Sequence, residues 1–344
     1  MTAGALRLRW QGADAEVRLG LSLLALALVL PLVMPAWQVA EFARYFCYML
    51  LAASLAWVWG HCGLLCLGQG VFFGLGAYTM SVVTLGKVPG VAVLPEVMSF
   101  WLGLGAALVL PALAAALLGV LLFSAGGLAG AFFGIVTLAV AFIAERIAIN
   151  WDWLGGLNGL MGVPSLRPGV FGNEELTDEW AVYYLLLAVL VLVVTALMRA
   201  VRSARGRALL AVRNNEVRAQ ALGIDVAREK TRAFALGGAV AGLAGALFVT
   251  QFNFASPPLI GFAVSAEALI WVAVGGRSSL VAACMGALLV RLAESWLSEA
   301  LGPYWLLALG ALFVFTVVAL PQGVVGELQA WLDRRRNRNL QMGR

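Results

Sequence analysis

Few side chains in this sequence are suited to bond-making chemistry. There is one histidine, His61, with Cys62 beside it and Cys66 four residues on; Cys47 and Cys284 lie elsewhere in apolar runs. A zinc site needs three or four clustered nitrogen, sulfur or carboxylate ligands, and no second pair accompanies this one. The thiols therefore read as small apolar packing residues. No serine has a base at a workable spacing and no acids are clustered, so neither a catalytic residue nor a metal ligand is assigned.

A second set of residues is notable for where it sits. Glu145, Arg146, Glu267, Arg291 and Glu294 all fall within or at the ends of long apolar runs. An ionisable group there is costly and is a functional candidate by default. Arg291 and Glu294 are three apart on one helical face. A structural Glu267–Arg291 pair between adjacent antiparallel helices is the favoured reading, ahead of a contact with a transported solute.

The elements that must hold these residues follow from composition. Apolar residues make up 62% of the 344 and charged residues 12%, with mean hydropathy +0.93. Soluble domains carry about 45–50% and about 25%, so this chain cannot cover itself with polar groups and belongs in a bilayer. Apolar runs long enough to cross one occupy about 19–36, 39–59, 63–85, 98–122, 127–149, 181–199, 232–253, 263–281, 282–300 and 303–321. The expected fold is an all-α polytopic bundle of about ten spans. No small-residue cleavage site follows the first run, only Pro31, Pro35 and Trp37, so it is expected to be retained as a span.

Seventeen of the 23 lysines and arginines fall in three segments: three in the N-terminal tail, nine from Arg199 to Arg232 and five from Arg334 onward. Positive segments stay inside. The loop from Trp151 to Trp180 holds Asp152, Glu174, Glu175, Asp178 and Glu179 against Arg167 alone, and should face outward. Six spans before the central basic segment and four after it put all three basic segments on one side, with both termini cytoplasmic. The expected organisation is a cytoplasmic tail at 1–18, a transmembrane domain at 19–326 and a basic tail at 327–344. An inner loop at about 200–231 and an outer loop at about 150–180 interrupt the domain.

The inner loop carries Leu209, Leu210, Val212, Val217, Ala221 and Leu222 at helical spacing, an amphipathic helix against the inner face. Gly223 is placed to end it in a left-handed cap and Asp225 to start the next helix. Such a helix serves equally as a lipid anchor or as a docking surface for another protein. Five glycines or polar breaks, Gly68, Gln69, Gly70, Gly74 and Gly76, interrupt the third run. They suit close helix packing first, and a partly unwound pathway segment second. Asn150 to Gly162 is dense in Asn, Asp and Gly, as turns are.

Glu216-Val-Arg-Ala-Gln-Ala-Leu-Gly223 resembles the Glu-Ala-Ala…Gly coupling loop of ABC importer permeases, and its surroundings are similar to the LivM branch of the branched-chain amino-acid importer family. Residues 63–78, 150–162, 270–277 and 320–326 extend the resemblance in order over about 45–326. The family's usual alanine after Glu216 is Val217 here. The resemblance implies a bacterial inner-membrane permease subunit, with Arg213, Glu216, Ala219 and Gly223 at a groove on a cytoplasmic ATPase. It implies a LivH-type second permease, two ATP-binding subunits and an extracytoplasmic binding protein. It makes Gln69 and Gly70 candidate pathway residues, with Asp152 and Asn158 as candidate gate residues where the binding protein docks. ATP–Mg would be bound only by the partners: the one Gly-Lys pair, Gly86-Lys87, precedes Val88, and no phosphate-binding loop is present. Several segments look closer to urea-type permeases, a narrow lean toward urea or a short amide over branched-chain amino acids. An ion-coupled carrier or channel is the rival class, disfavoured by the scarcity of mid-membrane carboxylates. No nucleic-acid partner is implied.

Overall fold

The computed structural model describes residues 3–89, 95–124, 130–169 and 175–304, together with positions 307, 310, 311, 314, 323, 324 and 327. Its helices are α1 (Ala3–Val29), α2 (Ala36–Leu55), α3 (Gln69–Thr84), α4 (Glu96–Ser124), α5 (Ala131–Asn150), α6 (Glu179–Arg202), α7 (Ala204–Asn214), α8 (Glu216–Ala221), α9 (Val226–Phe252), α10 (Phe262–Gly275) and α11 (Leu280–Leu301). A two-strand pairing, β1 (Leu160–Met161) with β2 (Phe254–Ala255), is the one sheet among the described residues. The chain is all-helical in its architecture. Six helices in the described residues are long and apolar enough to cross a membrane: α2 with its extension to His61, α4, α5, α6, α9 and α11. The expected tenth run, 303–321, the C-terminal tail and Glu174 lie largely or wholly outside the described residues, whereas the expected N-terminal tail is helical from Ala3 as part of α1.

The bundle is built around α9. It packs against α3 and α4, and α2 packs against α6, α9, α10 and α11. Small residues let backbones meet: a Cβ at Gly76 would collide with the Gly242 backbone, and one at Gly245 with the carbonyl of Phe73. In lipid no hydrophobic effect drives helices together, so this close approach is what holds them. Phe72, Phe123 and Phe133 meet Phe234 edge-on. All four cysteines are buried and free.

Besides the first expected span, 19–36, whose α-helix ends at Val29 and which is not among those six, two expected spans are shorter than their apolar runs. The run at 63–85 yields a helix only from Gln69; before it, α2 widens into a π-turn over Ala56–His61 and residues 63–66 are non-helical. Gly60 is pressed against the Arg277 carbonyl and Gly63 has a φ of 75°, so the chain cannot continue as a regular α-helix here. The glycines at 70, 74 and 76 do not split α3, which runs unbroken through them. Likewise the run at 263–281 ends at Gly275, because Gly276 (φ 122°) turns the chain toward α11.

The single amphipathic helix expected across 205–222 is two helices. Asn215 adopts an extended conformation (φ −163°, ψ 106°), and its side chain accepts from the Arg218 amide to start α8. The break rotates the second half. Leu209, Val212 and Ala219 face inward, while Val217 and Leu222 are 76% and 73% exposed. Gly223 is left-handed (φ 81°) and the Asp225 carboxylate accepts from the Arg228 amide, so both punctuation marks hold.

One face of the bundle gathers Glu16, the π-turn, α7, α8 and the start of α9. The opposite face gathers the end of α5, the loop after it and the end of α9.

Candidate functional site

Between the loop carrying α7 and α8 and the bundle lies a small apolar cluster of Val212, Ala219 and Val226, joined by Ile224. Arg213 extends from α7 and donates through Nη1 to the Gly60 carbonyl, in the π-turn of α2. π-Helical geometry leaves carbonyls displaced from their regular partners, and a guanidinium satisfies this one with a charge-assisted bond. Glu216 accepts from Lys230 Nζ at 2.5 Å. Lys230 is 2% exposed, and its ammonium also lies 5.5 Å over the Phe123 ring of α4. Burying an ammonium is tolerable only with such partners. Beside this pair is a cavity of about 410 Å³ lined by Phe123, Glu216, Gln220, Asp225 and Lys230. Ala219 is buried under α8, and Gly223 has open space around its Cα. Arg213, Glu216, Ala219 and Gly223 thus lie on one loop, with Arg213 tied to α2's π-turn and Glu216 to α9. Lys230 was not singled out from sequence; a lysine one helical turn after an N-cap acid is ordinary, and nothing local shows its burial.

Gln69 and Gly70 sit at the crossing of four helices. Gln69 is fully buried, and its Nε2 donates to Ser54 Oγ of α2 at 3.0 Å and to the Gly237 carbonyl of α9 at 3.3 Å. Its Oε1 has no partner. The Gly70 amide donates to Ser265 Oγ of α10 at 2.7 Å. Just ahead, the Leu67 amide donates to Thr137 Oγ1 of α5. The start of α3 is therefore a polar knot tying α2, α5, α9 and α10, reached from α7 through Gly60 and the non-helical 63–66 segment.

On the opposite face, Asp152 and Asn158 stand on two successive single-turn 3₁₀ segments, Asp152–Leu154 and Gly156–Asn158, and both are exposed. Four glycines of positive φ, at 155, 156, 159 and 162, shape the loop. It is anchored by β1–β2, by Asn253 Nδ2 donating to the Val163 carbonyl at 2.8 Å, and by Lys87 Nζ donating to the Trp153 carbonyl at 3.0 Å. Trp151, Trp153, Leu157 and Met161 are exposed around the two polar side chains.

Arg291 donates to Glu267 Oε2 at 2.5 Å and to Glu294 Oε2 at 2.8 Å. Its guanidinium also stacks 3.9 Å over Tyr48 and 4.9 Å over Trp271. One arginine between two carboxylates and two rings is a well-fixed group, as expected of a charge held within an apolar bundle.

Comparison with known proteins agrees with the span of these features. Residues 40–317 match a family described as the permease component of branched-chain amino acid transport systems. The chain is 32% identical over 328 residues to the high-affinity branched-chain amino acid transport system permease protein LivM of Salmonella typhimurium, covering 89% of this chain and 74% of that one. The Escherichia coli LivM is 32% identical over 327 residues, 88% and 73% of the two chains. Escherichia coli LivH is 30% identical over 174 residues, 48% of this chain and 56% of its own. No solved structure matches.

Proposed function

The chain belongs to the permease-component family of branched-chain amino acid transport systems, and from that membership we propose that it is one half of the translocation pathway of an ATP-driven importer in the bacterial inner membrane. It is a transport component and not an enzyme; ATP hydrolysis is the task of separate subunits. The observation that carries the proposal is the LivM similarity over nearly the whole length. The narrow lean toward urea or a short amide finds no support, because the relatives are named for branched-chain amino acids. We take branched-chain amino acids as the substrate class.

In this reading about ten spans cross the membrane, with both termini and the Arg199–Arg232 segment cytoplasmic. The chain pairs with a LivH-type permease, two ATP-binding subunits that hold ATP–Mg, and an extracytoplasmic binding protein. Val217 and Leu222, large apolar side chains left exposed on a charged loop, supply contact to the ATPase. Movement of α7 and α8 is passed by Arg213 to the π-turn and the 63–66 segment, and by Lys230 to α9 and α4. Both routes end at the knot around Gln69 and Gly70, where a change in helix packing opens the pathway to one side or the other. Asp152 and Asn158 receive the loaded binding protein outside.

The test is uptake in proteoliposomes holding this chain with its co-expressed neighbouring gene products. Uptake of leucine, isoleucine or valine that needs both ATP and the binding protein is expected. Uptake of urea alone would overturn the substrate class, and uptake driven by an ion gradient without ATP would overturn the mechanism.

A further inference from the structure

Two adjacent charges on α5 have no partner in the bundle. Glu145 is half-buried and Arg146 exposed, and neither side chain makes an ion pair or hydrogen bond among the described residues. They cannot pair with each other, because neighbours in sequence project in different directions from a helix. They stand about 6–8 Å before the end of α5 at Asn150. Around them Phe142, Ile143 and Ile147 are exposed. Charges on such a face belong against water or protein, not against lipid. An arginine alone this near a helix end would extend to the headgroups. Glu145 does not, since its carboxylate lies over Gly261, just before α10, where a Cβ would collide with it. A Cβ at Gly70 would meet the carbonyl of that same Gly261, so the carboxylate adjoins the polar knot.

An α-amino acid carries its ammonium and carboxylate on one carbon, and so needs an acceptor and a donor close together but differently directed. Glu145 is the acceptor, and the Arg146 guanidinium is a two-pronged donor suited to a carboxylate. Phe142 is three residues before one and four before the other, on the helix surface beneath both. Its ring is 6.0 Å from that of Phe262 on α10. With Ile143 these rings form an apolar shelf for an aliphatic side chain. The loop bearing Asp152 and Asn158 follows α5 directly, so a solute released there has a short path to the pair. We propose that Glu145 and Arg146 are this chain's half of a solute site. Glu145 takes the ammonium, Arg146 the carboxylate, and Phe142, Ile143 and Phe262 the branched side chain, while the second permease closes the cavity over α5. The site rests on the reading of the chain as half of a branched-chain amino acid pathway, and names the residues that recognise the solute.

The assembled complex in proteoliposomes, supplied with binding protein and ATP, is illuminated with a leucine analogue bearing a diazirine on its side chain, and labelled peptides are mapped by mass spectrometry. Label between Phe142 and Ile147 is expected, and excess leucine should displace it. Glu145→Gln with Arg146→Gln should reduce both label and uptake by roughly ten-fold or more, the loss of two charge-assisted bonds. Glu145→Asp with Arg146→Lys should recover part of each. Gly261→Ala keeps both charges but displaces the Glu145 carboxylate, and should weaken the label as well. The second permease should co-purify with every variant. Its loss from the glutamine variants would make the two charges an interface contact between subunits and overturn the proposal. So would normal uptake by those variants, or label confined to α3 with none on α5. A wild-type complex that takes up no aliphatic amino acid would sink the transport reading itself, whereas uptake without label on α5 sinks this site alone.

Discussion

Lys230 Nζ and Glu216 Oε1 are 2.5 Å apart, yet the lysine side chain is 2% exposed and the glutamate 38%. The two ends of this bond are therefore not equivalent. Removing the carboxylate strands a buried ammonium, whereas removing the ammonium leaves a carboxylate that water can reach.

Glu216→Ala should accordingly lower stability by roughly 3–5 kcal/mol, the cost of breaking a pair with a buried member. Lys230→Met should cost much less and still depress ATP-dependent uptake, because α8 is released from α9. Thermal unfolding of the solubilised complex beside an uptake assay reads both; equal stability loss in the two variants would contradict the burial argument.

Gly223 sits at φ 81° with open space around it. A side chain meets no obstacle there, only backbone strain of about 1–2 kcal/mol. Gly223→Asn should retain most uptake, Gly223→Ala less, and Gly223→Pro, whose ring fixes φ near −65°, none. Membrane insertion of all three should be unchanged. Normal uptake by the proline variant would remove the coupling role of this loop.

Within the bundle, Gly76 and Gly105 form a paired comparison. A Cβ at Gly76 meets the Gly242 backbone, and one at Gly105 meets nothing within 4 Å. Gly76→Val should prevent recovery of a folded complex, while Gly105→Ala should be neutral or stabilise by about 0.5–1 kcal/mol. Detergent-resistant yield after mild heating distinguishes them.

Asp152 and Asn158 are exposed and lie on turns whose geometry is set by glycines. Asp152→Asn and Asn158→Ala should shift stability by less than about 0.5 kcal/mol. If each makes one polar contact to the binding protein, binding-protein-dependent uptake should fall about ten-fold with basal ATPase unchanged. Uptake at the wild-type level in both would take the docking role away from this loop.

Arg291 serves two carboxylates, so Arg291→Met should cost more than Glu267→Gln, which leaves the Glu294 bond in place. Combining them should recover part of the loss, with a coupling of about 1–3 kcal/mol measured by unfolding of the four variants.

Much of this molecule is determined locally and was legible in the sequence. Apolar runs gave the helices, since a bilayer accepts few other structures. The left-handed turn at Gly223 and the cap at Asp225 followed from residue type, because their energies arise within a few bonds. Helical spacing placed Arg291 and Glu294 on one face.

Tertiary structure decided the rest. The π-turn at 56–61 exists because Gly60 meets the carbonyl of Arg277, more than two hundred residues away, and Arg213 completes it from a third element. Glu16 caps α11 across a similar separation. Lys230 is buried because Phe123 and Glu216 close over it. Val217 is exposed because Asn215 turns α8 away from the line of α7. In each case the free energy resides in a contact between segments distant in sequence. Composition and spacing report only what a residue does to its neighbours in the chain, so these choices became visible only once the helices had packed.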